Sequence, residues 1–423
     1  MERPLTGNIR RNLPPPDLAA YRRAGGYQAA RESIGRRAPA ALVAEITESG
    51  LAGRGGGGFP TGKKFAAMPP RAQRPGPRYF VVNADEMEPG TFKDRLLLEG
   101  DPHQLIEGIL LSAYAVDADI AYVFIRGEYG HAISLMEHAV AEAAEAGLLG
   151  ENVFGSGFSL RIHIHGGAGR YICGEETALL NSLEGHRAIP RAKPPYPQTA
   201  GLWGCPTIVN NVETVCNIPH IIGRGAAWYK TLGLGEPGTR IFGVSGRVKN
   251  PGAFELPAGT TLRELIETHA GGMSAGYRLR AVLPGGASTG FIAADDLDIP
   301  LSFAGMARRG HRLGTGNGIV LDDATCPVAF IANLQQFFAR ESCGWCAPCR
   351  DGLPWVERVL KSIDAGRGEP GDLDLLAEMT ENLGPGRTFC ALAPGAMASL
   401  QTGLKLFHEE FSRHIQDGSC AWR

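Results

Sequence analysis

Cys343, Cys346 and Cys349 stand at C-x2-C-x2-C spacing, and Cys390 follows 41 positions later. No other feature constrains this chain as much, because four thiolates are worth gathering only around a metal. A tight loop that wraps three corners while a distant segment supplies the fourth matches a [4Fe–4S] cubane. Zinc is the rival, since four thiolates satisfy it too, but structural zinc usually takes two separated C-x2-C knuckles. The cubane is the better match. Gly344 lets the chain turn tightly there, and Pro348 and Pro394 limit backbone freedom beside the ligands. The remaining cysteines are single: Cys173, Cys205, Cys216 and Cys326 read as core thiols, and Cys420 as an exposed residue near the terminus.

Nine cysteines without an apolar leader after Met1 point to a reducing, cytoplasmic setting. The longest apolar stretch, around Leu110–Ile125, is broken by Asp117 and Asp119, so no direct membrane insertion is expected. With 42 basic and 44 acidic residues, scattered rather than blocked, the chain has no stripe for nucleic acid. The 58 glycines follow no repeat, so the backbone is expected to approach something closely at several places.

Organisation follows from pattern. Residues 1–35 are proline-rich and basic, and read as an extended N-terminal arm. From 36 to 235, candidate strands Tyr79–Asn83, Ile120–Ile125 and Leu160–His165 alternate with helical stretches Leu105–Ala115 and Ile133–Ala146, which predicts an α/β sheet. From 236 to 327 a strand over 240–248, a helix Leu262–Ala270 capped by Thr261, and a strand Ala281–Leu283 suggest a small α+β unit. From 328 to 423 the pattern is helical: Phe330–Arg340, Leu353–Ala365, Asp372–Leu383 and Met397–Ser412, a number that suits a bundle.

Three motifs carry chemistry in the α/β region. Gly53-Arg54-Gly55-Gly56-Gly57-Gly58-Phe59 runs on to Gly62-Lys63-Lys64. It nearly spells a P-loop, but Lys64 stands where Ser or Thr should bind Mg²⁺. An ordinary dinucleotide fingerprint needs a strand before the glycines, and here a helix (Ala40–Ser49) precedes them. What survives is bare backbone whose N–H groups can reach phosphate or a flat ring, with Arg54, Lys63 and Lys64 as positive charge. The alternative is a flexible loop.

At the end of the first strand, Asn83, Asp85, Glu86 and Glu88 suit hydrogen bonding to ribityl or ribose hydroxyls and an amide. A divalent-cation site or a solvated turn remains open for the same carboxylates. Further on, a second glycine turn leads through Tyr171 and Gly174 to Glu175 and Glu176 at a helix start. These glutamates either serve a ligand or satisfy the helix dipole. Asn210-Asn211 opens another candidate ligand-facing loop.

Together these strings (Gly53–Gly62, Asn83–Asp94, Arg170–Thr177 with Asn181–Gly185, Pro206–Val215, Glu341–Trp355 and Thr388–Ala396) closely resemble the NADH-binding flavoprotein subunit of respiratory complex I, in its bacterial form. They keep the family's order over about Gly26 to Phe411. The resemblance implies a Rossmann-like FMN/NADH domain, a ubiquitin-like β-grasp domain and a four-helix bundle holding [4Fe–4S]. It implies FMN contacts from Gly53, Gly55, Lys64, Asn83, Asp85, Gly174, Asn210 and Asn211. NADH contacts would come from Gly56, Phe59, Glu88, Glu176 and Tyr196, with Phe59 and Tyr196 stacking on adenine. Gly57 departs from the family's usual alanine.

The implied activity is hydride transfer from NADH to FMN, then single electrons to the cluster, with no general acid or base required. The implied partners are a thioredoxin-like [2Fe–2S] subunit and a larger iron–sulfur subunit of complex I, holding the chain at the membrane periphery. Related subunits of NAD-dependent hydrogenases and formate dehydrogenases often carry a fused thioredoxin-like domain, so the diaphorase reading is the weaker alternative. A purely structural, cluster-bearing assembly module is the alternative from another class.

Overall fold

The computed structural model describes residues 2–10 and 12–422. Its contacts divide the chain into two compact units. The first runs to Met87 and adds Phe92–Ile241 and Glu255–Gly259; the second holds Glu88–Thr91, Phe242–Phe254 and the chain from Thr260 on.

The first unit is built on four parallel strands: β1 (Tyr79–Ala84), β2 (Ile120–Ile125), β3 (Arg161–Gly166) and β4 (Thr207–Asn211), in the order β3-β2-β1-β4. Phe80, Val81 and Val82 are wholly buried, as the unbroken apolar run of a parallel strand covered on both faces demands. Between β1 and β2 lies the helix Pro102–Val116, buried on nearly every side. Its start is written in the sequence: Asp101 accepts from the Gln104 amide, and Pro102 occupies the first turn, where no N–H is needed. The helix Gly130–Glu145 connects β2 to β3. The chain then returns past β1 to form β4, so the strand order reverses between β1 and β4. Ligands of open α/β sheets bind outside the strand ends at such a point.

The segment expected to be an extended arm is not extended. It contains the helices Leu18–Arg23 and Gln28–Ser33, and Tyr21, Tyr27, Ala30 and Ile34 are buried. Glu107, inside the helix Pro102–Val116, accepts from Tyr21 Oη at 2.7 Å, Tyr27 N at 2.8 Å and Ala30 N at 3.2 Å. A distant carboxylate organises the segment, which local proline content could not reveal.

A second sheet of five strands, most of whose residues fall in the second unit, runs in the order β6-β5-β9-β7-β8. These are β5 (Thr239–Ser245), β6 (Gly252–Pro257), β7 (Leu279–Leu283), β8 (Ile292–Ala293) and β9 (Asn317–Asp322). β5 and β9 are parallel, while β7 is antiparallel to both β8 and β9. Thr261 caps as expected, its Oγ1 accepting from Glu264 N at 3.1 Å, but the helix it starts widens to π geometry over Glu264–His269.

The C-terminal part is helical: Pro327–Glu341, Ala347–Asp364, Asp372–Asn382, Leu392–Leu406 and His408–Asp417. The first packs on the second and the fourth, and the third lies against the second and the fourth. The single helix expected over Met397–Ser412 is broken at Phe407, whose backbone turns to φ −116°, ψ 29° while its ring is buried edge-on against Phe291. Among the described residues no helix is long and apolar enough to cross a membrane.

Candidate functional site

The glycine loop folds back on itself. Gly53 N donates to Phe59 O and Thr61 N to Leu51 O, both at 2.9 Å. Gly56 and Gly58 have φ of +105° and +66°, the left-handed region that only glycine enters cheaply. A Cβ on Gly55 would lie 3.2 Å from Cβ of Asn211, so the loop rests against the end of β4. Gly57 faces open space: a Cβ there would meet nothing within 4 Å.

Two residues of this motif do other work. A Cβ on Gly62 would meet Thr47 Oγ1 at 2.2 Å, so Gly62 lets the helix Thr61–Ala66 pack on the helix Pro39–Ser49. Arg54, expected to lend charge to the loop, is fully buried and turned inward. Its guanidinium donates to Tyr229 Oη at 2.8 Å, Thr239 O at 3.0 Å and Pro237 O at 3.3 Å. Glu236 lies 3.4 Å away as counter-ion. Burial costs the guanidinium its solvation, and these partners offset that cost.

At the switch point Asn83 of β1 pairs in register with Asn211 of β4. Asn83 accepts from Asp85 N at 3.1 Å and donates to Gly174 O at 3.0 Å, tying the acidic motif to the second glycine turn. Asn211 donates to Asp94 Oδ2 at 2.6 Å and accepts from Glu213 N at 3.1 Å. Asn210 is 8% exposed, and its side-chain nitrogen has no hydrogen-bond partner among the described residues. A buried donor left unmade costs on the order of 1–3 kcal/mol, so this nitrogen is available to an acceptor from outside the chain. That orphan donor, beside the bare loop backbone, is what a polyhydroxylated, phosphorylated cofactor such as FMN fits.

Beneath lies a buried ionic cluster whose members belong to the strings Asn83–Asp94 and Pro206–Val215, although their pairing was not read from the sequence. Lys93 Nζ is 2.7 Å from Asp94 and 2.9 Å from Glu213. Burial works against its charge, yet Asp94, Glu213 and Glu86 raise its pKa. Glu86 is buried, and its two oxygens accept from Asp94 N and Arg95 N at 2.8 and 3.0 Å, capping the helix Lys93–Gly100. Burial and the neighbouring Asp94 push its carboxyl up to about 7. A metal-ligand role for Glu86 is therefore disfavoured.

The two adjacent glutamates divide the roles left open between them. Glu175 caps the helix Glu176–Leu183, accepting from Thr177 N and Ala178 N at 2.9 Å each. Glu176 instead sits between two lysines: Lys64 Nζ at 3.0 Å and Lys193 Nζ at 2.7 Å. Burial would raise its pKa, but Lys64 and Lys193 outweigh it and hold the carboxylate low. Lys193 belongs to none of the sequence motifs; its signal is a basic residue three positions before Tyr196. Phe59 and Tyr196 are each 55% exposed, so both rings are open to a ligand. Tyr171 opens the short helical turn Tyr171–Gly174. In the second unit, Glu88 Oε1 accepts from Ser288 N at 2.6 Å.

In the helical part, Cys343 follows the helix Pro327–Glu341, Cys346 caps the helix Ala347–Asp364 and Cys349 lies in its first turn. Gly344 takes φ +74°, as the tight loop requires. Burial, opposed by the Ser342 hydroxyl 3.2 Å away, pushes the Cys349 thiol up to about 12, with Cys346, Cys390 and Cys343 adding to the rise. The other three sulfurs thus lie near enough to Cys349 to act on it. That donor set fits an iron–sulfur cluster. Of the other cysteines, Cys173 and Cys216 are core thiols as expected, whereas Cys420 is not simply exposed: it sits beside Cys326 and His414.

Comparison with known proteins accords with this geometry. Residues 46–220 match the Nuo51 FMN-binding domain, 241–292 the SLBB domain, and 329–414 the NADH-ubiquinone oxidoreductase-F iron-sulfur binding region. Fold and site together define an FMN- and [4Fe–4S]-binding oxidoreductase. The chain belongs to the family of NADH-quinone oxidoreductase F subunits: it is 51% identical to those of Salmonella typhimurium and Escherichia coli, each over 98% of this chain and 93% of that protein. The F 2 form of Rhizobium meliloti is 50% identical over 97% of this chain and 98% of that protein. Among solved structures, the NAD⁺-reducing [NiFe]-hydrogenase in its H₂-reduced state superposes with a TM-score of 0.80 at 34% identity, over 96% of this chain and 66% of that one. In its air-oxidised state the TM-score is 0.78, over 92% and 65%. The chain spans about two thirds of those hydrogenase chains.

Proposed function

We propose that this chain is the electron-input subunit of an NADH:quinone oxidoreductase. The observation that carries the reading is the β1/β4 switch point, where the glycine loop, the Asn83–Asn211 pair and the unpaired Asn210 amide surround one strand end. When bound, FMN takes a hydride from NADH and the [4Fe–4S] cluster takes electrons from it one at a time.

The residues supply placement. Backbone N–H groups of Gly53, Gly55, Gly56, Gly57 and Gly58 serve the phosphates, and Asn210, Asn83 and Asp85 hold the flavin and its ribityl chain. Lys64 joins them through its position beside Val209 O and Glu176. Gly174 and Tyr171 close the floor. Phe59 and Tyr196 stack on adenine, Glu176 meets a ribose hydroxyl of NADH, and Glu175 positions Glu176. Cys343, Cys346, Cys349 and Cys390 hold the cluster.

In this reading residues 36–235 form the FMN/NADH domain and 236–327 a ubiquitin-like β-grasp domain, which the strand order β6-β5-β9-β7-β8 supports. Residues 328–423 form the cluster-bearing bundle. A thioredoxin-like [2Fe–2S] subunit and a larger iron–sulfur subunit take the electrons onward, with the complex holding this chain at the cytoplasmic face of the membrane. The diaphorase of a soluble hydrogenase is the lesser reading, at 34% rather than 51% identity.

Anaerobic absorbance and EPR of the purified protein, with iron and flavin counted before and after NADH, test this. Flavin bleaching and a new reduced-cluster signal are expected. A colourless protein inert toward NADH would leave only the assembly-module reading.

A further inference from the structure

A second set of metal-ligand side chains lies in the helical part, apart from the four cysteines already assigned. Cys326, Asp364, His414 and Cys420 each offer one ligand atom, and these atoms all lie within 4.8 Å of one another. Four ligands around zinc, at bond lengths of about 2.0–2.3 Å, stand roughly 3.3–3.8 Å apart. Cys326 Sγ and His414 Nε2 are 3.4 Å apart, within that range.

The imidazole is oriented as a ligand. His414 Nδ1 is 2.7 Å from Glu410 O, a carbonyl that can only accept, so the proton resides on Nδ1 and the Nε2 lone pair faces the sulfur. Metal-bound histidines are commonly held this way, the second ring nitrogen donating to a backbone carbonyl. The ring is 1% exposed and stacks on Trp422 at 6.2 Å and 18°. Trp422 Nε1 in turn donates to Asp323 O at 3.2 Å, which carries the chain end back over the site.

Placement separates this cluster from the first. Cys326 caps the start of the helix Pro327–Glu341, whose far end leads to Cys343. Asp364 ends the helix Ala347–Asp364, whose first turn holds Cys349. Those 15 and 18 residues put about 22–27 Å of helix between the two cysteine sites. Gly366 passes so near Gly418 that a Cβ would lie 2.0 Å from Gly418 O, bringing the segment after Asp364 against the one before Cys420.

We propose that Cys326, Asp364, His414 and Cys420 form a closed, structural zinc site that fastens the C-terminal segment to the cluster-bearing helices. Two thiolates, one imidazole and one carboxylate complete a tetrahedron without an open position, which suits a structural rather than a catalytic ion. On binding, the two thiols release their protons to solvent and no redox change occurs.

The test uses the full chain carrying flavin and iron, expressed with zinc supplied. Zinc, iron and flavin are counted together, and zinc-edge X-ray absorption reads the ligand set of the wild type. About one zinc per chain is expected beside about four iron, with two sulfurs at about 2.3 Å and two lighter ligands. Cys420→Ser and His414→Gln should each lower retained zinc at least tenfold after dialysis against EDTA, with iron and flavin unchanged. The proposal is overturned by wild-type protein rich in iron but free of zinc, by zinc with four sulfur ligands, or by retention unaffected in both variants. A Cys326–Cys420 disulfide found in the native protein by mass spectrometry would overturn it equally. None of these results bears on NADH oxidation, so the functional reading stands or falls separately.

Discussion

Glu176 Oε2 lies 3.0 Å from Lys64 Nζ, and the same carboxylate reaches Lys193 through its other oxygen. Lys193 also pairs with Glu175 at 3.1 Å and Lys64 also donates to Val209 O at 2.9 Å. In Glu176→Gln each lysine keeps that second partner, while the carboxylate that would repel a 2′-phosphate is gone. The preference for NADH over NADPH, as the ratio of kcat/KM values, should fall about tenfold, equivalent to ~1.4 kcal/mol. An unchanged ratio rejects the assignment.

Adjacent glycines should differ sharply. A methyl at Gly55 must share 3.2 Å with Asn211 Cβ, whereas one at Gly57 meets nothing within 4 Å. Gly55→Ala is expected to weaken flavin retention by about tenfold, ~1–2 kcal/mol of strain, while Gly57→Ala stays within about twofold. Flavin-to-protein ratio after gel filtration measures both. Equal loss in the two variants would mean the loop does not rest on β4.

Arg54 predicts a stability effect instead of a binding one. Arg54→Ala removes donors to Tyr229, Thr239 and Pro237 and one of the two cations beside Glu236, which keeps Arg240. Leaving buried acceptors without their donor costs about 1–3 kcal/mol. Denaturant unfolding should show that loss, and flavin that does bind should be reduced by NADH at the wild-type rate. A normally stable protein with weak flavin binding would instead put the guanidinium in the cofactor site.

The buried Glu86 gives a pH signature. Its folded pKa is raised from 4.5 to about 7, by burial first and then by Asp94. Between these values the folded chain keeps a proton that the unfolded chain has released, so this group's contribution to stability falls as pH rises from about 4.5 to 7. The total is on the order of 1–3 kcal/mol. Glu86→Gln should remove that slope, seen as a wild-type minus variant difference in unfolding free energy across the window. Parallel pH profiles would show that Glu86 stays ionised throughout.

Much of the fold was legible because burial leaves a periodic trace. β2 lies over Ile120–Ile125 as read, and the helix Pro102–Val116 extends the expected Leu105–Ala115 by one turn at its capped start. β4, β6, β8 and β9 were not read from the sequence, and Asn210-Asn211, expected in a loop, end strand β4. β8 has two residues and little pattern, and the other three strands are defined by pairing rather than by propensity. The helix break at Phe407 escaped because the apolar period continues through it while the ring turns toward Phe291.

What the sequence determined by itself was chemistry carried by residue type and spacing: the C-x2-C-x2-C run with its remote Cys390, the bare-backbone loop, and the acids and amides at strand ends. These survive as local rules because a thiolate, a missing Cβ or an amide has the same capacity wherever it lies. Tertiary structure alone decided which way each side chain turned. It sent Arg54 inward to Tyr229, gave Glu175 to a helix end and Glu176 to two lysines, and drew Cys326, Asp364, His414 and Cys420 together. The reason is that a charged or polar group settles where burial cost and partners balance, and its partners here lie tens to hundreds of residues away along the chain.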